Sequence, residues 1–451
     1  MDTKVKNKGR MFSNQDLLRL LVPLIIEQLL AVAVGLADSI MVSQVGEAAV
    51  SGVSLVDNIN ILLIGIFSAL ATGGAVVVGQ YIGHKDLGKA RQAGEQLLVF
   101  VAILSIAIMF IVYLGRWFIL KVVFGQITAE VMHHANVYLL IVTLSIPLLA
   151  IYNSGAALFR VQGNSAISMK ISVLMNVINI VGNAILIFGL HCGVEGVAIP
   201  TVVSRGVAAI VVIVLLRNPS LTVHISKPFS YHFNGNMIKR ILRIGVPNGV
   251  ENSMFQLGKL VLLSMISTLG TTAITANAVS NSVAAFGILP GQAIGLGMVT
   301  VISQCVGAGD YKQVKYYTKK LMFCAYLAMI VVNVLIIVAL PLLFQIYHLS
   351  AATMKVTRQI LILHSVCACI IWPLSFTFPN TLRAANDVKY TMVVSMLSMW
   401  ICRIMFAFLF AKRLELGVLG VWLAMILDWC VRSVFFIGRY LSGKWIRSVK
   451  F

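Results

Sequence analysis

The sequence predicts an all-α polytopic membrane protein with twelve transmembrane helices in two six-helix lobes, and three observations carry that prediction. Of 451 residues, 59% are hydrophobic and only 11% charged, against about 25% charged in soluble domains. Apolar runs of bilayer-spanning length recur along the whole chain, punctuated by Gly, Pro, Asn and charge clusters. The first half of the sequence also returns in the second at a constant shift of 224 residues. Gly 35 and Pro 10 fit helices packed through small residues better than the alternating strands of a barrel.

The first span, within Leu17 to Val45, carries Pro23, Glu27 and Asp38. A carboxylate inside a bilayer span costs about 2.5 to 3.5 kcal/mol on insertion scales, so both acids must face protein or water. They lie eleven residues apart, about three helical turns, which places them on one face. Further apolar runs follow at about 50 to 78, 93 to 115, 134 to 159, 166 to 190 and 194 to 217. A second set runs at about 240 to 265, 274 to 304, 319 to 345, 357 to 381, 389 to 411 and 417 to 440. The long polar connection between the sets divides the chain into an N-terminal lobe (1–216), a linker (217–238) and a C-terminal lobe (239–451).

At the 224-residue shift Arg19 meets Arg243, Pro23 meets Pro247, Glu27 meets Glu251, Gly73 meets Gly297, Gln80 meets Gln304 and Asp86 meets Asp310; Arg160 meets Arg383 after one deletion. Six crossings per copy is an even number, so both copies enter from one side and are related by a pseudo-two-fold axis along the membrane normal. Parallel repeats of this kind build carriers in which two lobes rock about a shared cavity. A receptor or a structural anchor has no need of matched lobes.

The formal net charge of +20 does not point to nucleic acid. Lys4, Lys6, Lys8, Arg10 and Arg19 precede or open the first span, and later clusters such as Lys85 with Lys89 and Arg91, Lys227, Lys312 to Lys320, and Arg439 to Lys450 fall in alternate loops. By the positive-inside rule both termini are cytoplasmic, the protein is multi-pass in the cell's inner (cytoplasmic) membrane, and the excess charge meets lipid headgroups. The seven Cys have no metal or disulfide spacing, the first span lacks a cleavage site for a signal peptide, and the glycines of Ala71 to Gly79 lack the context of a nucleotide loop. An enzyme or an ATP-driven pump is therefore not expected, and no cofactor is implied.

Pro23 with Asp38 in P-x14-D-S-I-M-V-S-Q-V-G, the loop GQYIGHKDLGKARQA, its second copy SQCVGAGDYKQVKYY, and IGVPNGVENSMFQLGKL resemble the multidrug and toxic compound extrusion (MATE) family, within the superfamily that also includes lipid and polysaccharide flippases. The likeness covers both lobes. It implies export of organic, often cationic compounds in exchange for entering protons or sodium. It also implies a coupling site in the N-terminal lobe, at positions that here are Asp38, Asn179, Asn183 and Thr201. The second acid of the family's fifth helix is Asn183 in this chain, which removes a negative charge from a sodium site at Asp38 and favours protons. The repeat mates of these residues are Leu262, Cys402, Phe406 and Met425, so the polar cluster exists in one copy only.

Glu27 and Glu251, at equivalent places, either offer a cationic substrate two carboxylates or are paired each within its own lobe. Asn248, Asn252, Gln256 and Lys259 form a stripe that is expensive in lipid and expected to line the cavity. A turn beyond Glu251, where the NorM-like branch carries a Glu, this chain has Phe255. Asp57, Asn58, Asn60, Asn277 and Asn281 are expected near the outer, wet ends of their helices. Asp428 and Arg432, four apart, are expected to pair; His364 reads as a core residue, and Arg205 and Arg403 have no partner legible in sequence. Pro23 and Pro247 are expected to bend their helices. The reading that unites these observations is a monomeric alternating-access antiporter for small organic compounds, with a flippase for lipid-linked sugars as the alternative.

Overall fold

The computed structural model describes residues 9–125, 127–226, 231–347 and 349–448; Lys4, Lys6, Lys8, Lys227 and Lys450 lie outside the described residues. The first half holds α1 (Asn14–Ser43), α2 (Glu47–Gly83), α3 (Leu87–Leu114), α4 (Ala129–Thr143), α5 (Ile146–Val161), α6 (Ser165–Ala184) and α7 (Glu195–Leu216). The second holds α8 (Gly235–Ser267), α9 (Thr271–Gly307), α10 (Tyr311–Tyr347), α11 (Ala351–Ile370), α12 (Pro379–Ala384), α13 (Val388–Leu397) and α14 (Gly417–Leu441). Among the described residues there are 9 helices long and apolar enough to span a membrane. Two further spans are bent, Ala129–Thr143 with Ile146–Val161 by 49° and Ala351–Ile370 with Pro373–Ala384 by 57°. Pro147 and Pro373 stand just past the two breaks, where each removes a helical hydrogen bond. The twelfth segment, α8, is long enough at 33 residues, but Lys239, Arg240, Arg243, Glu251 and Lys259 dilute its hydropathy. The protein is an all-helical, multi-pass membrane protein.

The repeat is visible in local geometry as well as in sequence. Gly46 and Gly270, mates at the 224 shift, both take positive φ (132° and 94°) immediately before α2 and α9. Helix turns of π type occur at Ile185–Gly189 and Leu409–Arg413, again the same positions of the two copies. Four turns share one device: Lys85, Gly163, Gly309 and Asn386 adopt the left-handed conformation. In each, the next residue's N–H reaches back five residues to a helical carbonyl, Asp86 to Tyr81, Asn164 to Phe159, Asp310 to Cys305 and Asp387 to Leu382, at 2.9 to 3.1 Å. This is the Schellman closure, which satisfies carbonyls left open at a helix end.

Two compact units emerge, one spanning Val22–Gly249 and the other combining the described residues up to Leu21 with those from Val250 on. Their limits thus fall inside α1 and α8, beside Pro23 and Pro247, and not in the 217–238 linker. The physical reason lies in each helix's first turns. Before α1, Met11 N–H and Phe12 N–H donate to Gln313 and Tyr317 at 2.8 Å, inside the second unit. At the start of α8, Arg240 donates to Tyr81 and Gln80 at 2.9 and 3.0 Å, inside the first. Gly73 and Gly245 let α2 and α8 approach so closely that a Cβ on Gly73 would lie 2.7 Å from the Gly245 nitrogen.

Candidate functional site

Within the first unit, α1, α6 and α7 bring Asp38, Asn183, Asn179 and Thr201 into one chain of hydrogen bonds. Asn183 Nδ2 donates to Asp38 Oδ1 at 2.8 Å, and more weakly to Asn179 Oδ1 at 3.4 Å. Asn179 Nδ2 donates to Thr201 Oγ1 at 3.2 Å, and Thr201 Oγ1 donates to the Val197 carbonyl at 2.9 Å. The i, i+4 spacing of Asn179 and Asn183 stacks them on one face of α6, both buried. Asp38 is half-buried. Asn183 Oδ1 is buried and makes no hydrogen bond, which leaves an acceptor directly beside the carboxylate.

A second acid, Asp57 on α2, belongs to the same neighbourhood. Its Oδ1 accepts from Tyr138 OH of α4 and from Asn60 Nδ2, both at 3.1 Å. Asp57 is half-buried, so the expectation of a wet helix end does not hold for it: the buried Tyr138 ring covers it. Arg205 Nη1 donates to Ser145 Oγ at 2.7 Å, and the charges of both Asp57 and Arg205 act on Asp38. Arg205 thereby gains the partners that the sequence did not name. The clue to Asp57 was its repeat mate, Asn281, which loses the charge, as the mate of Asp38, Leu262, loses charge and polarity together.

The oxygens of Asp38, Asn183, Asn179 and Thr201 are of the kind that suits a hard cation. One full carboxylate among amides and a hydroxyl also suits a single transferable proton. Among the described residues no group of three or more His, Cys, Asp or Glu is placed to hold a metal ion.

Glu27 and Glu251 are each paired within their own unit. Arg160 Nη1 lies 3.1 Å from Glu27 Oε1, with Ser168 Oγ donating to Oε2 at 2.5 Å. Arg383 Nη2 lies 2.7 Å from Glu251 Oε1. These arginines are themselves repeat mates, so the ion pair is duplicated with the fold. The structure therefore does not present two free carboxylates to a cation, because a buried carboxylate is retained only with a charge partner.

The second unit encloses a cavity of about 580 Å³ whose lining includes Glu251, Asn252 and Lys259 but not Gln256. Its walls are aromatic. Trp372 stacks on Phe376 at 5.0 Å, and His364 meets Trp422 and Trp429 edge-on at 5.5 Å. His364 is buried, as expected, yet forms part of the cavity wall. Asn277 is not wet: it is buried, and its Oδ1 accepts the Trp422 indole N–H at 3.1 Å. Asp428 and Arg432 pair at 2.8 Å, fully buried, with Ser398 Oγ donating to Asp428 Oδ1 at 2.5 Å. Arg403 comes no closer to Asp428 than 3.9 Å.

A family model described as MatE matches residues 23–185 and again 247–409, two copies offset by the same 224 residues as the sequence repeat. The chain is 27% identical over 430 residues to an uncharacterized transporter, YisQ, of Bacillus subtilis, covering 94% of each. It is 23% identical over 445 residues to a probable multidrug resistance protein NorM of Thermotoga maritima, covering 96% of this chain and 93% of the other. Among solved structures, an outward-facing multidrug resistance MATE family transporter superposes with a TM-score of 0.87 at 19% identity, over 96% of each chain. At that identity the likeness speaks to the fold.

Proposed function

Because this chain belongs to the MatE family, whose members are membrane transporters, we propose that it is a secondary active multidrug exporter driven by a cation entering through the Asp38 cluster. The observation that carries this reading is a polar constellation kept in only one of two otherwise matched copies. Packing glue of the Glu27–Arg160 kind is duplicated; the Asp38–Asn183–Asn179–Thr201 chain is not. A group needed once per transporter, and not once per repeat, is a coupling site.

Protons are the favoured coupling ion, with sodium the alternative. With Asp38 ionised, its carboxylate accepts from the Asn183 amide nitrogen, as found here. Once protonated, its O–H becomes a donor, and the unpartnered Asn183 Oδ1 is the acceptor beside it after a half-turn of the amide. Uptake of one proton thereby reverses the polarity of the contact between α1 and α6. A ligand or proton shifts a conformational equilibrium only by its differential affinity for the two states, and this reversal supplies such a difference. The basic loops described above support cytoplasmic termini and contact with anionic lipids.

Proteoliposomes containing the full chain, given an imposed pH gradient in one arm and a sodium gradient in the other, test the proposal. Transport should follow the proton gradient and fall to background in Asp38→Asn, with thermal unfolding unchanged. Normal transport by that variant would defeat the assignment of Asp38.

A further inference from the structure

The cavity of the second unit carries an imbalance of charge that the exporter reading does not account for. Its Glu251 is neutralised by Arg383 at 2.7 Å, and its Arg432 is neutralised by Asp428 at 2.8 Å. Arg432 is further committed to the Ser395 carbonyl at 3.1 Å. What remains is Lys259, together with Arg403, which reaches the already engaged Asp428 only at 3.9 Å; both face the cavity. Lys259 has no carboxylate within ion-pair distance among the described residues; its ammonium stands 5.0 Å from the Phe255 ring centroid. Arg403 is 9% exposed, makes no hydrogen bond among the described residues, and has a buried Nε with no partner. Its guanidinium lies 5.3 Å from the same ring, and that of Arg432 lies 5.5 Å from it.

Three cations thus surround one phenyl ring and share a single carboxylate, Asp428, which Arg432 engages at 2.8 Å and Arg403 reaches only at 3.9 Å. A buried guanidinium without hydrogen bonds is costly, and a cation–π contact returns only about 0.5 to 2 kcal/mol. The deficit is relieved by a ligand that brings acceptors and negative charge; a planar carboxylate, sulfonate or phosphate suits the guanidinium fork. The walls are aromatic, and 580 Å³ falls in the range of sites for drug-sized molecules.

The repeat points the same way. The mates of Asp38, Asp57, Thr201 and Arg205 are Leu262, Asn281, Met425 and Trp429, and all four line this cavity. The same place in the fold carries two acids, Asp38 and Asp57, in one copy, and is apolar, aromatic and fringed by cations in the other.

We propose that the cavity of the second unit binds small aromatic organic anions, held by Arg403 and Lys259 against Phe255, and that these are the exported substrate class. The binding half of this statement stands on the geometry alone, whereas the export half rests on the function proposed above.

The test uses the full chain in phosphatidylcholine nanodiscs, with quenching of intrinsic fluorescence as the signal, since Trp422 and Trp429 form the wall. The probes are naphthalene-2-sulfonate and, at similar size and opposite charge, N-methylquinolinium. The sulfonate should bind saturably and the quinolinium at least 10-fold more weakly. Arg403→Gln should weaken the sulfonate 10-fold or more, Lys259→Gln several-fold, and Arg403→Lys should recover part of the loss. Where Arg403→Gln fails to fold, Lys259→Gln decides, because its side chain is exposed and unpaired. Equal or tighter binding of the quinolinium, or sulfonate affinity unchanged by Lys259→Gln, overturns the proposal.

Adding phosphatidylglycerol distinguishes two sources of the same anion chemistry. Displacement of the sulfonate assigns the site to a lipid headgroup and overturns the aromatic substrate class; undiminished binding supports a soluble aromatic anion. Proton-driven flux of wild type and Asp38→Asn is scored separately. Loss of anion preference with intact Asp38-dependent flux sinks this inference alone, and Asp38-independent flux sinks the exporter reading alone.

Discussion

Asn183 donates its side-chain amide to the Asp38 carboxylate at 2.8 Å, joining residues 145 positions apart and tying α6 to α1 inside the first unit. The sequence feature behind this bond is a substitution, an amide where the related transporters are expected to hold a second acid. Asn183→Asp should therefore restore a negative charge beside Asp38 and turn transport toward sodium. Flux under a sodium gradient alone should rise from background in that variant, and its response to a proton gradient should fall. The paired-gradient proteoliposome assay reads both changes, and identical gradient dependence in wild type and variant would contradict the prediction.

Tyr138 donates its hydroxyl to Asp57 at 3.1 Å. Tyr138→Phe removes the donor and keeps the ring, so about 0.5 to 1.5 kcal/mol of stability is at stake, or up to 3 where the acceptor is ionised. Since the charge of Asp57 acts on Asp38, the variant should also displace the pH at which transport is half-maximal. A lowered unfolding midpoint with an unaltered pH profile would assign Tyr138 to packing alone.

The duplicated ion pairs are expected to be structural. Removing one partner of a buried pair leaves an uncompensated charge and costs about 3 to 5 kcal/mol. Arg160→Ala and Arg383→Ala should each lower the unfolding midpoint of purified protein strongly. Glu27→Met combined with Arg160→Met should recover much of the loss, because the pair is replaced by side chains that need no partner. A double variant as unstable as Arg160→Ala would show that the pair does more than neutralise charge.

Gly73→Ala tests the close approach of α2 and α8. The new methyl would meet the backbone of Ile241 and Gly245 at 2.7 to 2.9 Å, and backbone cannot rotate aside. Overpacking of this kind costs about 1 to 3 kcal/mol. Gly249→Ala, where the nearest atom is the Ala69 methyl at 3.7 Å, should be tolerated far better. Comparable unfolding midpoints for the two variants would refute the contact.

In the turns between spans, Asp86 and Asp310 have carboxyls held below their ordinary value. For Asp86 the cause is the Lys89 backbone N–H and ammonium; for Asp310 it is the Gln313 backbone and side chain. A depressed carboxyl stabilises above its unfolded pKa, and that contribution disappears as pH falls through the folded pKa, here below about 4. Stability should therefore be insensitive to these two acids between pH 5 and 8. The deficit of Asp86→Asn should be constant over that window and shrink on acidification below pH 4. Any pH dependence of transport between 5 and 8 then originates elsewhere, and a deficit that varied across that window would contradict the assignment.

The helices and their repetition could be read from sequence, because a bilayer imposes a local rule: every spanning segment must be apolar and satisfy its backbone internally. Composition, the spacing of Pro23 and Pro247, and the 224-residue register all express that rule or its duplication. Asp38 could be picked out because a carboxylate is expensive in lipid; Asn179, Asn183 and Thr201 were marked by the resemblance to the MATE family, and the loss of all four polar groups in the second copy agrees with it. Which polar groups meet was beyond it. Nothing local distinguishes Asp57, which finds Tyr138, from Asn58, whose amide donates to the Ser54 carbonyl of its own helix. Nor does anything local separate Arg383, bound to Glu251 at 2.7 Å, from Arg403, which comes no closer than 3.9 Å to Asp428 and keeps a buried Nε without a hydrogen bond. Those outcomes depend on how each helix is rotated about its axis against neighbours 81 to 132 residues away, and that is decided only when the helices of a unit pack.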